Sequence, residues 1–548
     1  MKIFGTIFPF IETAENSYKI GRHVANHEFL HALLKYGHFD SYHLFCPSTA
    51  NLKLLKNKLE TMGLDDTTNN RISLFLYKDL IPALQQNEYH VFHLGGWGYF
   101  LAGLAYLRTK YAKNIWPITS VIHSLNAHDV VYHAYKVMFA PIQHFDSIIC
   151  TSRSGKIVME NIFAHVKEKF NGAKEEYQGR LDNIPLGISN KFFQLPDRLE
   201  ARKALNIPEN QVVLLVLGRL SPSIKMDLFP FLHIFRNKIL NSCDFPVSLI
   251  LAGSGTRSDI DLLNNIIKEL ELQEICQIKP NFENQTKHLL LAASDISISV
   301  TDNLQETFGI SIIESLGTGL PAVVSDFNGY KDLIDHGRDG FLIPTLWGDK
   351  YPMSGLGELM EMHIEQLLIA QSVSVDMFYL AERIKELVNN TELRKKMGTS
   401  GQIKVKQRYE WSKIIREYEL LWDTLHDSSS THTQTPVPLD SPYTLPFFSI
   451  FNHYPTDILK METEFQITEF GKTAIKTGYL PKMYSDLDSV LNRDVLFNIL
   501  ASLEKGSKNA LSIKEILSSH LNPDLVNDQL QMSILWLAKY SLISRMNK

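Results

Sequence analysis

A chain of 548 residues is too long for one hydrophobic core, so its length predicts two large domains and a smaller unit. Apolar and charged fractions of 44% and 21% are those of an ordinary soluble protein. The net charge of -5 provides no basic field for nucleic acid and no general attraction to anionic lipid, although a local patch can hide within it.

The first residues, MKIFGTIFPF, are apolar but soon reach Glu12 and carry no small-residue cleavage site, which predicts a first strand and not a signal peptide. No uninterrupted apolar run approaches the roughly 18 residues that suggest a membrane span, while a peripheral membrane contact stays open. Cys46, Cys150, Cys243 and Cys276 lie far apart and lack the close pairs of zinc or redox motifs. Reduced, buried thiols in a cytoplasmic protein are expected.

Residues 1–195 alternate short apolar runs (KIFGTIF, YHLFC, ISLFLY, HVFHLGG, ITSVIHSL, DSIICTS) with helix-like segments. That rhythm predicts a parallel sheet covered on both faces. It restarts after the polar, proline-marked stretch 195–209, with QVVLLVLGRL, VSLILAGSG, ICQIKP, ISISV and PAVVSD as strands of a second domain, 196–408. Two such domains leave a cleft, and chemistry is expected just after the strands. A helix over 409–426 precedes a Ser, Thr and Pro linker, 427–446. The extension 447–548 reads as mainly α, with LFNILASLEKG, SIKEILSSH and PDLVNDQLQMSILWLAKYSLIS as three helices of a winged-helix-like unit or a helical cap.

The chemistry centres on QETFGISIIESLGTGLP, which sets Glu306 and Glu314 on either side of Gly309. A helix starting near Gly309 offers free backbone N–H groups to a phosphate. Glu314 then sits about 7.5 Å along that helix, and Glu306 stays in the preceding loop. Two carboxylates straddling an anion site, each able to accept from hydroxyls, suit a nucleotide sugar with its diphosphate in the middle. Arg219 and Lys225 project from LGRLSPSIKMD after a strand, either as a solvated loop or as charge for a diphosphate leaving group.

The segment from Glu306 to the end of PAVVSDFNGYKDLIDHGRDGFLIP resembles the retaining GT-B glycosyltransferases of family 4. The resemblance covers about residues 1–426 and implies a GT-B fold of two Rossmann-like domains facing a cleft. It implies that Glu314 holds ribose hydroxyls and that Glu306, Phe308, Gly309 and Ile310 lie beside the donor. It makes Arg219 and Lys225 the diphosphate ligands and His123, directly after ITSVIHSL, the active-site histidine. His128 and His133 read as ordinary polar residues. Gly253 in LAGSG resembles a turn lining the nucleotide pocket, a plain turn being the competing reading; around 278–282 the backbone faces the base. The family often has a glycine pair after the first strand, whereas FPFIETAENSYKIGR has only Gly21, a departure from the family pattern in that loop.

The implied activity is transfer of a sugar from a UDP- or GDP-linked donor to a hydroxyl of a glycan, lipid-linked or polypeptide acceptor, with retention. No cofactor or metal is expected, and the Asp259/Asp261 and Asp486/Asp488 pairs are not read as metal ligands. A homodimer stays open. Two alternatives compete. One is a nucleic-acid-binding regulator using a terminal winged helix, disfavoured by Asp524 and Asp528 against only Lys539 on its recognition helix. The other is a GT-B epimerase or phosphorylase.

Overall fold

The computed structural model describes residues 1–7, 10, 21–170, 176–430, 437, 439–484, 487, 490–518 and 523–546. Most of the loop after the first strand lies outside the described residues, as do 431–436 and 438 of the expected linker. So do Asp486 and Asp488 and the side chains of Asp524 and Asp528. The chain divides into two compact units.

The first unit comprises Met1–Tyr42, Leu64–Arg71 and Glu88–Leu439 and contains two lobes. In the first lobe, strands Ile3–Ile7, Val91–Leu94, Ile118–Val121, Ser147–Cys150 and Arg180–Asn183 are parallel neighbours in that order. The second lobe has six parallel strands, ordered Cys276–Pro280, Val247–Gly253, Val212–Leu217, Ile296–Ser299, Ala322–Ser325 and Gly340–Ile343. The central strand Val212–Leu217 runs as a continuous apolar segment because both sheet faces are covered, and every one of its residues is buried. The order reverses between Val212–Leu217 and Ile296–Ser299, so their carboxyl ends open a crevice that the crossing helices cannot fill.

Helix Trp411–Ser430 starts near the expected position and packs on the first lobe. Its buried Trp411, Ile414, Ile415, Tyr418, Trp422 and Leu425 recur at helical spacing. Trp422 Nε1 donates to Thr119 Oγ1 at 3.0 Å, and the same hydroxyl lies 2.9 Å from His93 Nδ1. The imidazole sits among Phe10, Phe29, Tyr418 and Trp422. Charged contacts flank this core: Lys2 Nζ and His90 Nε2 reach Asp423 at 2.6 and 2.7 Å.

The second unit gathers His43–Gly63, Ile72–Asn87 and Asp440–Lys548. Its early segments supply helices Thr49–Thr61 and Leu80–Gln86 and strand Ile72–Leu76. Its late segment holds the three expected helices together with further elements. Among the described residues four longer helices, Glu469–Thr477, Arg493–Glu504, Ala510–Ser518 and Pro523–Lys539, accompany an antiparallel sheet of Lys508–Asn509, Glu464–Ile467 and Ile543–Arg545. The end of the supposed third helix is therefore a strand. Strands of two to four residues are too short to show alternation, and Ser541 at φ 59 turns the chain out of the helix. Among the described residues no helix is long and apolar enough to cross a membrane.

Burial, reinforced by His123, pushes the His93 pKa down to about 3 from an ordinary 6.5. Within that window the unfolded chain holds a proton that the folded chain does not. Stability is therefore expected to fall as pH drops below 6.5, by up to about 1.4 kcal/mol per pH unit from this group. Melting curves across the window should show the decline, and His93→Phe should make it shallower; an unchanged slope would place the acid sensitivity elsewhere.

Candidate active site

At the reversal of the second sheet, Gly218 and Arg219 follow Val212–Leu217, and residues 300–308 follow Ile296–Ser299. The loops border a cleft of about 600 Å³ that His123 and Ser124 of the first lobe also line. Of the sequence-predicted residues, the cleft brings together His123, Arg219, Lys225, Gly253, Glu306, Phe308, Ile310 and Glu314.

Lys225 is buried at the cleft floor, with Nζ paired to Glu306 Oε2 and 5.3 Å from the Tyr330 ring centroid. Glu306 Oε1 accepts from the Phe308 backbone N–H at 3.1 Å, so the carboxylate is held on both oxygens. Burial works against both charges. For Lys225 the Glu306 carboxylate and Tyr330 more than offset it, holding the ammonium pKa above its usual value. For Glu306 the Lys225 charge and hydrogen bond, the Phe308 N–H and Arg219 outweigh burial and hold the carboxyl pKa below its usual value. Arg219 makes no salt bridge among the described residues; burial lowers its pKa and Glu306 partly restores it. Two cations and one carboxylate leave the floor with a net positive charge.

Helix Ile310–Gly317 starts at Gly309, as expected, with φ 114 at that residue. A Cβ there would come within 2.6 Å of the Tyr330 ring, so both backbone conformation and packing require glycine. Gly309 lies behind the cleft wall against Tyr330, while Ile310 lines the cleft. The Phe308 ring is 2% exposed and packs edge-on against Tyr409 at 6.2 Å. Gly253 allows two strand ends to touch: a Cβ would lie 1.5 Å from the Gly218 carbonyl oxygen.

Glu314 projects from the same helix and is buried. Its Oε1 accepts from Lys287 Nζ at 2.5 Å, while Oε2 has no hydrogen-bond partner among the described residues. Burial raises its pKa, opposed by Lys287 and reinforced by Glu28. A buried carboxylate oxygen without a hydrogen-bond donor is costly. Lys287 carries no local signal, being one lysine on helix Asn284–Ala293. Asn281 and Phe282 line the cleft within the stretch expected to face a base.

His123 Nε2 donates to the Gly95 carbonyl at 2.8 Å, which fixes the ring tautomer at the cleft wall. Its loop continues to residues that bind the second lobe. Asn126 Nδ2 donates to Gln366 Oε1 at 2.8 Å and Gln366 Nε2 returns a bond to the Asn126 carbonyl at 3.0 Å. His128 Nε2 pairs with Glu365 Oε2 at 2.8 Å. Asp259 caps helix Arg257–Glu269 in a box with Thr256, and Asp261 lies 3.9 Å from Arg257.

Residues 197–346 match the family model described as Glycosyl transferases group 1. The chain is 21% identical over 244 residues to N-acetyl-alpha-D-glucosaminyl L-malate synthase of Bacillus anthracis, covering 44% of this chain and 54% of that protein. It is 25% identical over 199 residues to the GtfA subunit of the UDP-N-acetylglucosamine–peptide N-acetylglucosaminyltransferase of Streptococcus pneumoniae, covering 36% and 34%. The chain thus spans about half or less of the length of these curated relatives. Among solved structures, Anabaena HepE in complex with UDP and glucose superposes with a TM-score of 0.51 at 15% identity, over 77% of this chain and 100% of that one. The fold is GT-B.

The Lys225–Glu306 pair generates a stability prediction. Lys225→Met leaves a carboxylate without its cation, and Glu306→Gln leaves a buried ammonium unpaired. Each is expected to cost about 3 kcal/mol in urea unfolding, and the double variant markedly less than the sum. Additive losses would show that the pair is not coupled.

Proposed function

We propose that this chain transfers a sugar from a UDP- or GDP-linked donor to an acceptor hydroxyl with retention of anomeric configuration. The observation that carries this reading is the arrangement of charge in one cleft. Arg219, Lys225 and the start of helix Ile310–Gly317 supply positive potential, and the carboxylates of Glu306 and Glu314 line the same cleft, one Glu314 oxygen having no hydrogen-bond partner among the described residues. The diphosphate fits the positive centre, the ribose hydroxyls fit Glu314, and the transferred sugar fits Glu306 and His123. The similarity of residues 197–346 to glycosyl transferases group 1 supports this reading, as does the UDP and glucose complex of the structurally similar Anabaena protein.

In the reaction, the bond from the anomeric carbon to the diphosphate oxygen breaks while the acceptor oxygen forms its bond on the same face. The acceptor proton passes to the departing phosphate oxygen, so no separate protein base is required. Arg219 and Lys225 stabilise the charge that develops on the leaving group, where preorganised cations in a water-poor cleft are most effective. Lys225 arrives already oriented by Glu306 and Tyr330, which limits the cost of ordering it.

The two carboxylates are expected to separate by ligand. Glu314→Gln should weaken free UDP or GDP by roughly tenfold or more in calorimetric titration, whereas Glu306→Gln should spare the free nucleotide and weaken the intact sugar donor. Equal effects on both ligands would overturn the straddling arrangement. Because side-chain cations and a helix start face the diphosphate, activity is also expected to survive EDTA. Loss of activity with recovery in manganese would refute it.

A further inference from the structure

Residues 348–372 leave the second lobe and return to the same place. Strands Thr345–Trp347 and Val373–Val375 pair antiparallel, Leu346 against Ser374, and Trp347 Nε1 donates to Ser372 Oγ at 2.9 Å. The excursion therefore begins and ends on one short ladder, which carries helix Met362–Gln371. It lies beyond residues 197–346, the part that matches the family model.

This helix is polar where it meets the first lobe. Glu365 and Gln366 are each 3% exposed, and burying a carboxylate or an amide is costly unless its polar atoms are met. Here they are met. Glu365 Oε1 accepts from Tyr351 O–H at 2.5 Å within the excursion, and Oε2 pairs with His128 Nε2 at 2.8 Å in the first lobe. Gln366 spends both ends of its amide on Asn126: Oε1 accepts from Nδ2 at 2.8 Å and Nε2 donates to the backbone carbonyl at 3.0 Å. Gripping a side chain and its own backbone together fixes position as well as orientation. Adhesion between lobes calls for buried apolar area, yet the helix leaves Met362 half exposed and reaches across with Glu365 and Gln366.

Asn126 lies three residues beyond His123, whose ring is held to the Gly95 carbonyl. The other end of the helix reaches the diphosphate side. Gln371 Nε2 donates to Asp227 Oδ2 at 2.9 Å, two residues beyond Lys225, and the Asp227 N–H lies against the Asp302 carboxyl group, 3.3 Å from each oxygen. Five residues, about 7.5 Å of helix, separate the contact to the Lys225 loop from the contact to the His123 loop. One rigid element thus serves as reference for a loop of each lobe. A donor gripped through its diphosphate by the second lobe brings its sugar to a histidine of the first. A displacement of about 1 Å between them is enough to spoil such a contact.

We infer that helix Met362–Gln371 registers the histidine loop on the donor, and that Glu365 and Gln366 are positioning residues for the transferred sugar, acting through His123. The inference rests on the glycosyl-transfer reading of the cleft and assigns a task in it to residues outside the cleft lining.

The experiment uses the full chain. UDP- and GDP-sugars are first screened by calorimetry, and the accepted donor is compared with its free nucleotide. Gln366→Met keeps the side-chain volume and removes both hydrogen bonds. It should lower the affinity for the sugar nucleotide about fivefold or more, while the affinity for the free nucleotide stays that of wild type. Glu365→Leu should do the same, and Glu365→Gln, which can still meet His128 and Tyr351, should recover most of the loss. In a His123→Ala background Gln366→Met should cost nothing further, because its effect passes through that ring. Melting curves check folding, and the Glu365 variants carry the test if Gln366→Met does not fold. An unchanged affinity for the sugar nucleotide overturns the inference, as does a loss shared equally by the free nucleotide. A further loss of the same size in the His123→Ala background also overturns it and marks a general structural role. Failure of the wild type to bind any sugar nucleotide overturns the glycosyl-transfer reading itself, a result visible before any variant is made.

Discussion

The ion pair between Lys225 and Glu306 is the contact around which the second lobe's cleft is organised. It joins two loops 81 residues apart at the carboxyl ends of adjacent strands, where the sheet order reverses. Each charge is expensive to bury alone, and each is held ionised by the other together with Tyr330, Arg219 and the Phe308 N–H. The adjoining helix start is fixed from the same centre, since Tyr330 packs against Gly309 as well as against Lys225. With Arg219 added, the floor carries more positive than negative charge, so an anion can enter without the pair first being dismantled.

The lobes meet around this floor through bonds that hold the loops of one to elements of the other. Ser152 Oγ donates to the Thr307 carbonyl at 2.6 Å, beside Glu306, and Ser154 Oγ donates to the Asn328 carbonyl at 2.8 Å. On the His123 loop the contacts come from helix Met362–Gln371, where Tyr351 O–H also donates to Glu365 at 2.5 Å. The position of His123 is thereby tied both to its own lobe through Gly95 and to the second lobe through Asn126 and His128.

The parallel sheets were legible because buried strands announce themselves as unbroken apolar runs, VVLLVL being the clearest. Residues that follow such runs were legible as cleft residues, which is why Arg219, Lys225, Glu306 and His123 converge as anticipated. What escaped depends on distance along the chain. Lys287 meets Glu314 across 27 residues and Glu365 meets His128 across 237, and neither partner bears a local mark. His133 reads in the sequence as one histidine among twenty, since only the fold sets it beside Tyr99. The short strands near the C-terminal end were hidden for another reason: they gain stability from sheet partners and not from their own pattern.

The central claim is that Lys225, poised on Glu306, is a ligand of the donor's diphosphate. The direct measurement is the gain in affinity from nucleoside to nucleoside diphosphate, obtained by calorimetry for wild type and Lys225→Ala with uridine, UDP, guanosine and GDP. The account predicts that nucleoside binding is unchanged and that the diphosphate gain shrinks by roughly 1.5 to 3 kcal/mol in the variant. An equal diphosphate gain in both proteins would contradict it.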